Sequence, residues 1–217
     1  MKDRLIGFGC SLTYGEGLPD CWDPKEKIRG ATPSNLSWPT LVSNELNKDC
    51  INLGSCGASN KEIWHRIVNT DYQKNDIVII LWTYVVRGCI LKNDNQIIRF
   101  HPRRAKRYPG ISTEEIECNR LYYKKFYDDY NHNVENLVYI NQAKQYLDSI
   151  GVKNYHFCFD DKRIDNSTVW HEFKNKCKWN NVQFNHLPYE KIDLGIDRDH
   201  PGVESQKQFS INILKVI

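Results

Sequence analysis

The sequence predicts an α/β protein: a three-layer α/β/α sandwich on a mainly parallel sheet, one domain over residues 1–217 with an inserted region around 88–130. Two observations carry this. Short apolar, β-branched runs alternate with segments of helical periodicity, the pattern of strands joined by crossover helices. The run "DIVIILWT" (76–83) is continuously apolar, as a parallel strand covered on both faces requires. A length of 217 residues, 40% hydrophobic and 12% aromatic, suits a single buried core and excludes a disordered chain.

The elements follow in order. "RLIGFG" (4–9) reads as a buried strand. In "SWPTLVSNELN" (37–47), Trp38, Leu41, Val42 and Leu46 recur at helical spacing, with Ser37 as the expected cap and Pro39 in the first turn, where a missing N–H costs little. "CINLG" (50–54) is a second strand. "SNKEIWHRIVN" (59–69) places Ser59 and Glu62 in capping-box register before Ile63, Trp64 and Ile67. "DIVIILWT" is the third strand. Residues 88–130 lose clear periodicity and read as an insertion near the strand ends, a lid or an oligomer contact. Leu137, Ile140, Ala143, Leu147 and Ile150 mark a helix from about residue 133 to 149, stopped by Gly151. "NYHFCF" (154–159) supplies a fourth strand, and Pro201 is expected to start a last helix with Val203, Phe209, Ile213 and Leu214 mostly inward.

Composition excludes several classes of function. Thirty basic against 27 acidic residues give a formal charge of +3, too balanced for a chain built to coat nucleic acid or a membrane. "HPRRAKRYP" does gather Arg103, Arg104, Lys106 and Arg107, but without placed aromatic partners the run reads as a solvated loop; nucleic-acid binding there would show salt-dependent affinity. The eight cysteines form no C-x-x-C pair and the histidines no ligand spacing, so neither a metal nor a cofactor is expected. The apolar stretches are too short for a signal-peptide core or a membrane span, which implies a cytoplasmic, reducing setting with free thiols.

The loop "GFGCSLTYGEG" follows the first strand, at the strand end where α/β folds bind ligands. A phosphate loop needs Gly-Lys-Ser/Thr, and this loop has no lysine; a dinucleotide fingerprint needs glycine where Leu12 stands. A nucleophile needs a hydroxyl, a base, a group to orient the base and donors for an oxyanion. Ser11 offers the hydroxyl. In "GIDRDHPG", Asp197 and His200 lie three residues apart, so the carboxylate can hold one imidazole nitrogen while the other faces the serine. Asp193 and Asp199 are rivals to Asp197 less favoured by spacing. The Ser11 N–H and an N–H from "NLGSCGASN" can meet the oxyanion, with Gly57 permitting close approach. Cys10 reads as a small packing residue, and Asn52 as a structural holder of the second loop.

These motifs resemble the blocks of the SGNH (GDSL-type) hydrolases. Gly9-Cys10-Ser11-Leu12-Thr13 is similar to the first block, with Cys10 in place of the usual Asp; "INLGSCGASN" is similar to the second, and "DRDHPG" to the fifth, in family order across nearly the whole chain. The resemblance implies an SGNH-hydrolase, flavodoxin-like fold, with Ser11 as nucleophile, His200 as base, Asp197 as its orienter and Gly57 as an oxyanion donor. It further implies a serine esterase or deacylase acting on a small acyl ester, such as an O-acetyl group on a carbohydrate. The third block departs from the family: where Gly-x-Asn-Asp is usual, the strand ends "LWTYVVR", without asparagine, similar to a phage-like branch with Trp-Thr and a following Arg. Thr83 or Tyr84 occupies that neighbourhood, so either Thr83 substitutes as donor, another donor reaches in, or activity is low; Arg87 is expected to bind an anionic substrate or lock the insertion. The missing asparagine keeps a second reading open, a binding module on the same fold without useful turnover.

Overall fold

The computed structural model describes residues 2–93, 96–102, 111–159, 169, 171–172 and 189–217. Four strands, β1 (Arg4–Gly9), β4 (Asp49–Gly54), β5 (Ile77–Trp82) and β8 (Lys153–Cys158), pair in parallel in the order β4-β1-β5-β8. The chain steps from β1 outward to β4, then back across β1 to β5 and on to β8. Right-handed crossovers therefore put α2 (Trp38–Glu45) on one face, and α3 (Asn60–Val68) and α5 (Asp129–Ser149) on the other. The packing agrees: α2 lies on β1, β4 and the C-terminal α6 (Val203–Leu214), while α3 lies on α5. This is the three-layer α/β/α sandwich that the alternation of periods predicts.

β1 and β5 are buried along nearly their whole length, so both faces of the central strands are covered. On the α2 side, Trp38 meets Phe209 edge-on at 5.8 Å, and Phe157 meets Phe209 at 6.0 Å. The buried Gln206 accepts from the Trp38 N–H at 2.9 Å and donates to the Leu12 carbonyl at 3.1 Å, pinning α6 to α1 (Ser11–Tyr14). Among the described residues, no helix is long and apolar enough to cross a membrane.

Several boundaries differ from expectation for local reasons. Ser37 sits at the N-cap of α2 but makes no capping bond; its hydroxyl donates to the Ser34 carbonyl at 2.6 Å and accepts from Asn52 at 3.0 Å. Ser59 caps α3 by accepting from the Glu62 N–H at 3.3 Å, but the Glu62 carboxylate leaves the capping box for two arginines. The α5 helix begins at Asp129, a turn before the expected start, capped by Asp128. Pro201 does not open α6: it forms an isolated bridge with Leu194, and Gly202 is the N-cap. The insertion is ordered over its described part. It holds an antiparallel hairpin, β6 (Gly88–Leu91) with β7 (Ile97–Phe100), and α4 (Thr113–Lys125), started by a capping box between Ser112 and Glu115. A two-stranded ribbon, β2 (Trp22–Asp23) with β3 (Ile28–Arg29), follows α1. The basic run 103–107 lies outside the described residues.

Candidate active site

Parallel register carries three loops to one end of the sheet. Gly9 of β1 is level with Gly54 of β4, and Phe8 with Ile80 of β5, so Ser11, Gly57 and Thr83 all follow carboxyl ends of adjacent strands. The chain reverses its direction of travel across the sheet at β1, the kind of position at which open α/β sheets bind ligands.

Ser11 is the first residue of α1 and is buried; Cys10, also buried, precedes it in the N-cap position. The Ser55 N–H donates to the Gly9 carbonyl at 3.0 Å, so the β4–α3 loop lies against the first loop. Asn52 joins them from below, donating to the Thr13 carbonyl at 2.7 Å and accepting from the Gly54 N–H at 2.9 Å. Ser55 to Ala58 form a turn closed at 3.0 Å, with Gly57 at its third position and a φ of 76°, where an L side chain is strained. Among the described residues, the N–H groups of Ser11 and Gly57 have no hydrogen-bond partner.

The C-terminal loop supplies the base. His200 Nδ1 lies 2.5 Å from Asp197 Oδ2, while Asp197 Oδ1 accepts from the Asp199 and His200 N–H groups, each at 3.0 Å. Burial pushes the Asp197 carboxyl up, but the His200 side-chain bond and the two backbone bonds outweigh it and hold the group below the usual carboxylate range. Of the rivals, Asp193 accepts from the N–H groups of Glu204 and Ser205 and so caps α6, and the Asp199 backbone carbonyl takes Lys191. The pair reaches α1 through Gly17: its carbonyl accepts from the Ile196 N–H at 2.9 Å, and a Cβ on Gly17 would stand 2.6 Å from Asp197 Oδ1. With a φ of 87°, Gly17 is glycine both for its conformation and for this approach.

Ser11 and His200 are not hydrogen-bonded to each other among the described residues; the loop of His200 meets the loop after Ser11 at Glu16 and Gly17. His200 Nε2 instead faces Glu16 Oε2 at 3.6 Å. Glu16 was not singled out by sequence, although a carboxylate between two glycines in the loop after Ser11 was a readable signal.

At the end of β5, the Thr83 N–H donates to Asn60 Oδ1 at 2.8 Å, and Asn60 Nδ2 donates back to the Thr83 carbonyl at 3.1 Å. The Thr83 hydroxyl accepts from Arg87 Nη1 at 3.0 Å. Arg87 is itself buried, reaching the Ala58 carbonyl at 3.4 Å and lying over the Tyr84 ring at 5.0 Å from its centroid. Both residues are fixed in the protein interior, and the arginine joins the β5 end to the loop that carries Gly57.

A second ion-pair cluster went unforeseen. Arg99 of β7 grips the fully buried Glu62 with two bonds of 2.7 Å, and Arg66 adds a third at 3.3 Å. Both arginines also donate to the Ser55 hydroxyl, at 3.0 and 3.2 Å, which fixes the loop bearing Gly57.

No protein-family model matches the sequence, and no curated protein matches it. Solved structures do share its fold. A protein assigned to the lipolytic G-D-S-L family from Desulfitobacterium hafniense DCB-2 aligns over 99% of both chains at 13% identity, with a TM-score of 0.52. An acetyl xylan esterase from the rumen bacterium Butyrivibrio proteoclasticus aligns over 98% of this chain and 63% of its own, at 12% identity and a TM-score of 0.59. A carbohydrate esterase, whose active site is described as having divergent catalytic and non-catalytic binding functions, aligns over 98% of this chain and 64% of its own, at 12% identity and a TM-score of 0.55.

Proposed function

We propose that the chain is a serine esterase that hydrolyses a small acyl ester, such as an O-acetyl group on a carbohydrate. The carrying observation is the Asp197–His200 pair, docked through Gly17 onto the loop that follows Ser11. Ser11 Oγ attacks the acyl carbon while His200 Nε2 takes its proton and then protonates the departing alcohol. Asp197 holds Nδ1–H, fixing the tautomer and stabilising the imidazolium. The N–H groups of Ser11 and Gly57, which have no partner among the described residues, receive the oxyanion. Water, deprotonated by the same imidazole, releases the acid and restores Ser11. Thr83 stands where the family places its asparagine; with its N–H taken by Asn60, only its hydroxyl proton is left for an oxyanion. Arg87 fits the role of a lock on the β5 end better than that of a substrate anchor, since it is buried and its Nη1 donates to both the Thr83 hydroxyl and the Ala58 carbonyl. The choice of an acetyl group draws on the fold neighbour that is an acetyl xylan esterase.

A fluorophosphonate probe tests this reading. Labelling is expected at Ser11, and Ser11→Ala and His200→Ala are expected to lower turnover of small acyl esters by about 10⁴-fold or more. An unlabelled, folded protein overturns it. The second reading, a binding module, is favoured by one observation: His200 Nε2 is turned to Glu16 and not to Ser11. It predicts that Ser11→Ala and the parent chain bind an acetylated sugar equally, with no hydrolysis by either.

A further inference from the structure

The loop after α1 carries a carboxylate that the mechanism above does not use. Glu16, between Gly15 and Gly17, is only 6% exposed, and among the described residues its Oε2 has no hydrogen-bond partner. A buried carboxylate oxygen without a donor is costly, so the group it faces is informative. That group is His200, whose Nε2 stands 3.6 Å away while Nδ1 is held by Asp197. The imidazole therefore lies between two carboxylates.

The two protonation states of the ring fit this position differently. A neutral imidazole with its proton on Nδ1, toward Asp197, presents a lone pair at Nε2, which a carboxylate repels and a serine hydroxyl satisfies. A doubly protonated ring presents Nε2–H, which Glu16 can accept and Ser11 has no need to. The remaining titratable and charged groups near the cluster are the Cys56 thiol of the β4–α3 loop, Tyr14 of α1, Cys10, Asp20 and Cys21, and the exposed Arg29 of β3. Arg198 and Asp199 flank the ring on its own loop. Burial pushes the Cys56 thiol far up, so it stays protonated beside Glu16.

We propose that Glu16 is a positioning residue for His200: it holds the doubly protonated ring through Nε2–H, turned from Ser11, and frees it to act as base once that proton leaves. The proposal rests on the Ser11–His200 reading above, and its test separates the two. Imidazole ¹⁵N-labelled protein reports the pairing without any turnover: the Nε2–H resonance of His200 is expected to be visible and hydrogen-bonded in the parent chain at acid pH, and lost or moved in the near-isosteric Glu16→Gln, while Nδ1–H stays. In parallel, fluorophosphonate labelling of Ser11 is followed from about pH 5.5 to about pH 8.5. Glu16→Gln is expected to label about tenfold faster than the parent chain at the acid end, with the difference narrowing as pH rises, while Glu16→Asp keeps the parent profile. An Nε2 signal indifferent to Glu16→Gln, or superimposable labelling profiles, overturns the proposal. A resonance that moves in a protein never labelled at Ser11 leaves the Glu16–His200 pair standing and sinks the esterase reading alone.

Discussion

Two segments close on the loops at the carboxyl ends of β1 and β4. Each docks through a buried carboxylate, yet they are built for different ends. The C-terminal loop brings Asp197 to His200, three residues on; the β6–β7 hairpin brings Arg99 to Glu62, across the β4–α3 loop. Burial pushes both carboxyls up and their partners pull both below the usual range, His200 for Asp197 and Arg99, with help from Ser55 and Arg66, for Glu62. The partner decides what the device can do. An imidazole gives up and regains a proton near neutrality, so the first pair can move protons. A guanidinium does not, so the second pair can only hold a loop in place. The same carboxylate in a low-dielectric setting orients an imidazole in one region, as the proposed esterase requires, and anchors a hairpin in the other.

Replacing each carboxylate's contribution separately tests that division. Asp197→Asn keeps the volume but lets His200 take the wrong tautomer, and is expected to lower kcat by about 10⁴-fold on whichever acyl ester is turned over, with the fold retained by circular dichroism. A loss of less than tenfold removes Asp197 from the chemistry and puts the two docks in one class.

The converse change is Arg99→Met. It leaves Glu62, fully buried, with the longer Arg66 bond at 3.3 Å and the Ser55 hydroxyl as its remaining support. Breaking a buried pair from one side strands a charge, and a loss of about 3 kcal/mol in urea unfolding is expected. Activity per folded molecule should fall by less than tenfold, because Arg66 still holds the Ser55 hydroxyl. Stability unchanged, with activity lost, would reverse the assignment of holding to this pair.

The two docks also differ in how far sequence discloses them. Asp197 and His200 sit within one turn of each other, so spacing alone pairs them, and the structure makes that contact. Strand and helix periods likewise set the layers, because burial on both faces leaves β5 no alternative to a continuous apolar run. Arg99 and Glu62 are 37 residues apart on different elements, and nothing local in "IIRF" marks the arginine as anything but a solvated strand residue. The same holds for Ser37, whose cap role is lost to Asn52 on a neighbouring strand, and for Thr83, whose N–H is claimed by Asn60 from α3. The α4 helix is the opposite case: "STEE" carried its capping box in plain view, and the lack of an apolar stripe behind it hid the signal.

The smallest effect bears on pH, and it isolates both docks. The carboxyls of Asp197 and Glu62 are held below their ordinary values of 3.8 and 4.5, so the stability they contribute is present above those values and is lost only as pH falls through the lower, folded ones. Neither titrates between pH 7 and about 5.5. His156 does so in the unfolded chain alone. It is buried between Trp82 Nε1, which donates to Nδ1 at 3.1 Å, and Asn154 Oδ1 at 3.1 Å from Nε2, and burial lowers it from 6.5 to about 3. Between those two values the unfolded chain binds the extra proton and the folded one does not, so stability rises with pH there and is lost as pH falls from about 6.5. From pH 7 to about 5.5 the loss from this residue is expected to be about 1 kcal/mol in urea unfolding. His156→Gln keeps an acceptor for Trp82 and removes the titration, and should flatten that slope even if its overall stability is lower. A slope that survives His156→Gln removes His156 as its source.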